Sequence, residues 1–192
     1  MFGKLYIYDS SSPEDREQAK GRFDDDDYVT TVGVGSKAQL LAELGGLVAA
    51  NAYFSRVLVQ THGEPGCIKF DGLRIYDTTL KADFAGRGFH KLFPLYTKIY
   101  FDGCNVANGS LGDGFLDTAG TIFLRAGGGE VSGWTTPGYG MSSWVPFIGG
   151  HTVHYSGGLK RVYFDPGGVK QVPLPAPNPL DDHGRLERGF KV

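Results

Sequence analysis

Short apolar runs that end at a glycine recur along this chain, and they predict the strands of a buried sheet. The clearest are residues 57–60, followed by Thr61-His62-Gly63, and residues 98–101, followed by Asp102-Gly103-Cys104-Asn105. Runs of this length, rich in β-branched and aromatic residues, are typical of buried parallel strands. Similar runs predict further strands at residues 4–8, 28–32, 67–70, 73–76, 130–135, 151–156 and 159–164.

Helical spacing of leucines after Ser36 predicts a first helix, with Ser36 as its N-cap and Gln39 completing a capping box. Residues 110–126 predict a second helix, with Ser110 as its N-cap and glycines at its end. Asp71-Gly72, placed between two alternating runs, predicts a β-hairpin with a type I′ turn. The order of these elements predicts an α/β fold with a mostly parallel central sheet and small β-hairpins.

Length and composition suit one domain over residues 1–172, followed by a proline-rich and charged tail at 173–192. The formal net charge of −2 does not favour a nucleic-acid partner. No apolar run approaches the roughly 20 residues that span a bilayer, so no membrane partner is expected. No signal peptide is visible. We therefore expect a cytoplasmic protein, or one exported without a recognisable signal peptide; its oligomeric state stays open.

His62 and Cys104 are the candidate reactive side chains. Each follows an apolar strand and adjoins a glycine. If the two strands are parallel neighbours, both side chains emerge at the carboxyl edge of the sheet, where α/β folds bind their ligands. An imidazole beside a thiol is the arrangement that a cysteine nucleophile needs.

The two motifs resemble those of the caspase-like cysteine peptidase clan, and most closely its bacterial, CHAT-like branch. Thr61-His62-Gly63 matches the His-Gly motif, and residues 103–107, Gly-Cys-Asn-Val-Ala, match the Gly-Cys-Asn motif. The resemblance covers residues 1–135. It implies a three-layer sandwich with helices on both faces of the sheet, and hydrolysis of a peptide or protein substrate without a metal or cofactor. Cys104 would be the nucleophile and His62 the acid/base, with the N–H groups of Gly63 and Cys104 as the oxyanion hole.

The resemblance also implies where the substrate-binding pocket lies. In related peptidases the segment after the fifth strand lines it, which here means Ser132, Gly133 and Trp134. A pocket directed at arginine or lysine would need a carboxylate, and Asp102 is the candidate. An aspartate-directed pocket would need arginines, and none is well placed.

Two alternatives keep the fold or the same side chains but change the function. One is a catalytically silent caspase-like domain that binds a protein partner through the aromatic, glycine-rich loop 136–150. The other is a zinc site formed by His62, Cys67, His90 and Cys104, although no pair has the short spacing of structural sites.

Two further alternatives use other chemistry. Cys67 and Cys104 could act as a redox pair if their sulfurs lie close together. Gly33-x-Gly35, between a predicted strand and a predicted helix, is part of a dinucleotide-binding fingerprint but lacks its third glycine.

Overall fold

The computed structural model describes residues 3–11, 29–137 and 158–171. The strands are β1 (Gly3–Asp9), β2 (Val29–Val34), β3 (Phe54–Gln60), β4 (His62–Glu64), β5 (Cys67–Phe70), β6 (Leu73–Tyr76), β7 (Thr97–Asp102), β8 (Gly129–Trp134), β9 (Leu159–Asp165) and β10 (Val169–Lys170). The helical segments are α1 (Lys37–Ala49), α2 (Asp77–Thr79), a π-helix (Leu80–Phe84), a 3₁₀-helix (Phe89–Leu92) and α3 (Gly109–Phe123).

Seven of the strands form a mixed sheet in the spatial order β10-β9-β8-β7-β3-β1-β2. The strands from β2 to β8 in this order run parallel to one another, and β9 and β10 are antiparallel to their neighbours. The strands β4, β5 and β6 form a separate antiparallel sheet, here called the small sheet. These findings confirm the predicted α/β architecture with a mostly parallel central sheet and a small hairpin.

The main core lies on one face of the central sheet. Alternation along the strands directs Leu5, Val57 and Ile99 to this face, where they join buried side chains of α1 and α3. The opposite face carries a second buried cluster, whose members are Tyr6, Leu58, Tyr100 and Trp134. The described residues place both long helices on the first face, and a helix on the second face stays a prediction.

Local signals set several turns as predicted. Ser36 Oγ accepts a hydrogen bond of 3.2 Å from the Gln39 N–H at the start of α1. Asp71 and Gly72 both have positive φ, 41° and 78°, as a type I′ turn requires.

The start of the second long helix was predicted wrongly. Its N-cap is Asn108 and not Ser110, and α3 runs from Gly109 to Phe123. At this start, a Cβ at Gly112 would lie 2.1 Å from the Ala107 carbonyl carbon. The first turn of the helix therefore packs directly on the preceding chain.

Several predictions concern residues outside the described ranges: the strand at 151–156, most of the loop 136–150, and the tail at 173–192. The domain boundary at residue 172 also stays a prediction. In the described part of the chain, no helix is both long and apolar enough to span a bilayer.

Two glycines of α3 make its packing testable. A Cβ at Gly120 would lie 2.0 Å from Phe164 Cε2, whereas a Cβ at Gly114 would meet nothing within 4 Å. We expect Gly120→Ala to lower the free energy of unfolding by about 1–3 kcal/mol, because the clash outweighs the gain in helix propensity. Gly114→Ala should raise it by up to about 1 kcal/mol. Urea denaturation of both variants checks this, and a shift of the same sign in both would contradict the packing.

Candidate functional site

The tips of β3 and β7 touch at the carboxyl edge of the central sheet. The two strands are parallel neighbours in a register that sets Gln60 opposite Asp102. Beyond them, a Cβ at Gly63 would lie 2.6 Å from the Cys104 carbonyl oxygen and 2.5 Å from Val106 Cγ2. A Cβ at Gly103 would lie 3.3 Å from Gly63 Cα. The expected adjacency of the two strands is confirmed, and glycine is needed on both sides of the contact.

This contact sets where the two reactive side chains begin. His62 opens β4, directly after the tip of β3, and its side chain is exposed. Cys104 follows the tip of β7, is half-buried and forms no disulfide bond. Both side chains are therefore reachable from solvent at the same edge of the sheet.

Backbone hydrogen bonds hold the turn that carries Cys104. The Ala107 N–H donates to the Trp134 carbonyl at 2.9 Å, and the Asn105 N–H donates to the Thr136 carbonyl at 3.1 Å. From the other side, the Gly66 N–H donates to the Val106 carbonyl at 3.1 Å. Asn105 has a positive φ of 60°, which asparagine tolerates better than most residues. The turn is thus fixed between β8 and the small sheet.

Three of the four residues expected to line a substrate pocket share the sheet face opposite α3. Asp102 is 4% exposed and accepts a hydrogen bond of 3.1 Å from the Tyr100 hydroxyl. Trp134 Nε1 donates to that same hydroxyl. The buried Ser132 lies opposite Tyr100 in the sheet. Sequence reasoning missed Tyr100, although its position two residues before Asp102 puts both on one face.

Gly133 differs from the other three. A Cβ at this position would lie 3.5 Å from Ala107 Cβ and 3.7 Å from Leu116 Cδ2, so it faces α3. Any contact of Gly133 with a ligand would therefore use its backbone.

The small sheet presents a polar outer face that sequence reasoning also missed. Cross-strand pairing sets His62 opposite Lys69 and Lys69 opposite Arg74. Glu64 lies on the same face, two residues after His62 in β4. Its carboxylate forms ion pairs with Lys69 Nζ at 2.5 Å and with Arg74 Nε at 3.1 Å, and it accepts a hydrogen bond of 3.0 Å from the Tyr76 hydroxyl. The Lys69 hydrogen bond is the main cause that lowers the pKa of Glu64, and the bond to Glu64 raises the pKa of Tyr76. The cluster follows from the pairing of β4, β5 and β6, and no local pattern in the sequence indicates it.

Cys67 lies on the same face of the small sheet, between Glu64 and Tyr76 in the cross-strand row. Its side chain is fully buried, and its Sγ lies 3.3 Å from the Ile68 carbonyl oxygen. Burial raises the pKa of the Cys67 thiol, and the negative charge of Glu64 acts in the same direction. Cys67 is a free thiol, so it forms no disulfide with Cys104 in this structure.

The zinc and dinucleotide alternatives find little support in the described residues. Among these residues no group of three or more His, Cys, Asp or Glu side chains is placed to hold a metal ion. His90 instead lies 3.4 Å from an Arg125 nitrogen.

In the Gly33-x-Gly35 turn of the dinucleotide alternative, the Gly35 N–H donates to Gln39 Oε1 at 2.9 Å, and Gln39 Nε2 donates to the Gly33 carbonyl at 2.9 Å. The Gln39 side chain thus bridges the two glycines of this turn.

Comparison of the chain with models of known protein families finds no match, and comparison with curated proteins also finds none.

The contact between the strand tips can be tested with Gly63→Ala. The new methyl group must displace the Cys104 carbonyl or the Val106 side chain, and we expect a loss of about 1–3 kcal/mol in the free energy of unfolding. Amide chemical shifts should change most at residues 103–107. Gly45→Ala in α1, where a Cβ meets nothing within 4 Å, is the matched control. Shift changes confined to the small sheet would show that the tips are not in contact.

The environment of Cys67 predicts a pH dependence. Because burial and the Glu64 charge disfavour the thiolate, the folded chain should need a higher pH than the unfolded chain for half-ionisation of Cys67. The measurement is the carbon-13 chemical shift of the labelled Cys67 Cβ against pH for a Cys104→Ser chain, with and without urea. Glu64→Gln should move the folded midpoint part of the way down. A folded midpoint at or below the unfolded one would contradict the assigned environment.

Proposed function

We propose that this chain is a cysteine peptidase of the caspase-like clan, which hydrolyses a peptide bond through Cys104 and His62. The observation that carries the proposal is the packing of Gly63 against the Cys104 carbonyl. It joins the His-Gly and Gly-Cys motifs at one sheet edge, with both side chains reachable from solvent. The parallel order of β2, β1, β3, β7 and β8 agrees with the fold that the motifs imply.

The chemistry follows from the two side chains. The Cys104 thiolate attacks the carbonyl carbon of the scissile bond, and the carbonyl electrons move onto its oxygen. When this intermediate collapses, the carbon–nitrogen bond breaks and His62 donates a proton to the leaving amine. A water molecule, losing its proton to His62, then attacks the thioester. The carbon–sulfur bond breaks, the carboxylic acid product leaves, and the Cys104 thiolate and the protonated His62 are restored.

Strand geometry supports Gly63 as an oxyanion donor. The two-residue turn Pro65-Gly66 is closed by the pair Glu64–Cys67, and Gly63 is paired with Ile68. Because hydrogen-bonded and non-bonded pairs alternate in an antiparallel ladder, Gly63–Ile68 is expected to be a non-bonded pair. Its N–H then points away from β5. Since β4 is the edge strand of the small sheet, no other strand of that sheet takes up this N–H. Such a donor typically contributes about 10²–10³ in rate.

The pocket for the residue before the scissile bond is proposed to lie around Asp102, Ser132, Gly133 and Trp134. Asp102 is buried and bonded to the Tyr100 hydroxyl, so a basic substrate residue would meet its carboxylate only by displacing that hydrogen bond. The aromatic ring of Trp134 would form a wall, and Gly133 would contribute backbone groups only.

Cleavage of a diverse peptide library tests the proposed function. Cys104→Ala should abolish cleavage, and His62→Gln should lower kcat/KM by about 10²–10⁴, the usual contribution of general acid–base catalysis. The matched controls are Cys67→Ala and His90→Gln, which alter the same residue types at positions that take no part in the proposed chemistry. Circular dichroism of each variant shows that it folds.

Two outcomes would contradict the proposed function. Cleavage that survives Cys104→Ala would show that another group, or a contaminating peptidase, is responsible. Absence of cleavage by the wild-type chain across the library would favour the catalytically silent domain.

A further inference from the structure

The outer face of the small sheet carries a row of basic side chains that begins at His62. His62 pairs with Lys69 across β4 and β5, and Lys69 pairs with Arg74 across β5 and β6. Directly opposed residues of an antiparallel pair point to the same face, with Cβ atoms about 4.5–5.5 Å apart. The row therefore crosses the whole small sheet, starting from the proposed acid/base.

The row keeps an excess of positive charge. Among the described residues, Lys69 and Arg74 pair with one carboxylate, that of Glu64, so this group of three carries a net charge of one positive unit. Arg74 contacts Glu64 through Nε, and a guanidinium has five N–H donors in all. Its side chain is 57% exposed and that of Lys69 is 28% exposed. Both cations can thus be reached by a second carboxylate.

The chemistry of the cleavage step indicates which part of the substrate would pass this row. The group that protonates the leaving amine must lie beside the scissile nitrogen, so the substrate segment after that nitrogen leaves the centre past His62. The surface next to His62 on its own face is the row formed by Lys69 and Arg74. An extended substrate segment would therefore lie along this row.

We propose that Lys69 and Arg74 form a subsite for an acidic side chain in the substrate segment that follows the scissile bond. The inference rests on the proposed peptidase function and adds a substrate class to it. Glu64 holds the two cations in place, and Tyr76 borders the subsite through its hydrogen bond to Glu64.

Two peptides that differ at one position test the subsite. They share all residues before the scissile bond and carry either Glu or Gln at the second position after it. The readout is the ratio of their kcat/KM values, in which any general loss of activity cancels. We expect the wild-type chain to prefer the Glu peptide about fivefold, as two exposed charge pairs allow. Arg74→Gln should bring the ratio close to one, and Arg74→Glu should invert it.

Arg87→Gln is the matched control, because Arg87 is an exposed arginine away from the small sheet. A ratio that falls as far in Arg87→Gln as in Arg74→Gln would show long-range charge and overturn the subsite. If the wild-type chain cleaves both peptides equally and Cys104→Ala cleaves neither, the subsite is overturned but the proposed peptidase function is not. Cleavage of neither peptide, when the wild-type chain also cleaves nothing in the diverse library, would overturn the proposed function and the subsite with it.

Discussion

The close packing of Gly63 against Gly103 and the Cys104 carbonyl is the constraint on which the candidate site depends. It follows from the parallel pairing of β3 with β7, which ends both strands at the same level of the sheet. At the contact a methyl group on Gly63 would come within 2.6 Å of a backbone oxygen, so only glycine fits without displacement. The positions of His62 and Cys104 are thus set mainly by backbone packing.

The small sheet, which begins with His62, is anchored to the rest of the fold by its inner face and by both of its turns. Its inner face joins the core through Ile68, Phe70 and Ile75. Its far turn is held by the buried Asp9, whose Oδ2 accepts the Asp71 N–H at 2.9 Å. Its near turn donates the Gly66 N–H to the carbonyl of Val106, on the turn that carries Cys104. A functional side chain supported by a strand is held more accurately than one on a free loop, and His62 has that support.

Local signals allowed the sequence to predict the β3 and β7 tips, the Ser36 cap and the Asp71-Gly72 turn, because each depends on a few neighbouring residues. The cap at Asn108 was missed, since Asn and Ser are comparable N-cap residues and the sequence pattern does not decide between Asn108 and Ser110. The hydrogen bonds that join Trp134, Tyr100 and Asp102, and the polar outer face of the small sheet, were also missed. Both depend on strand register between distant segments, which no local pattern specifies.

The most direct test of the central contact is a nuclear Overhauser measurement on the folded chain with labelled valine methyl groups. The account predicts strong cross-peaks from the Gly63 α-protons to a Val106 methyl group and to the Gly103 α-protons. Cross-peaks from Gly63 to residues of the small sheet alone would contradict it, because the tips of β3 and β7 would then lie apart and His62 and Cys104 would not share a site.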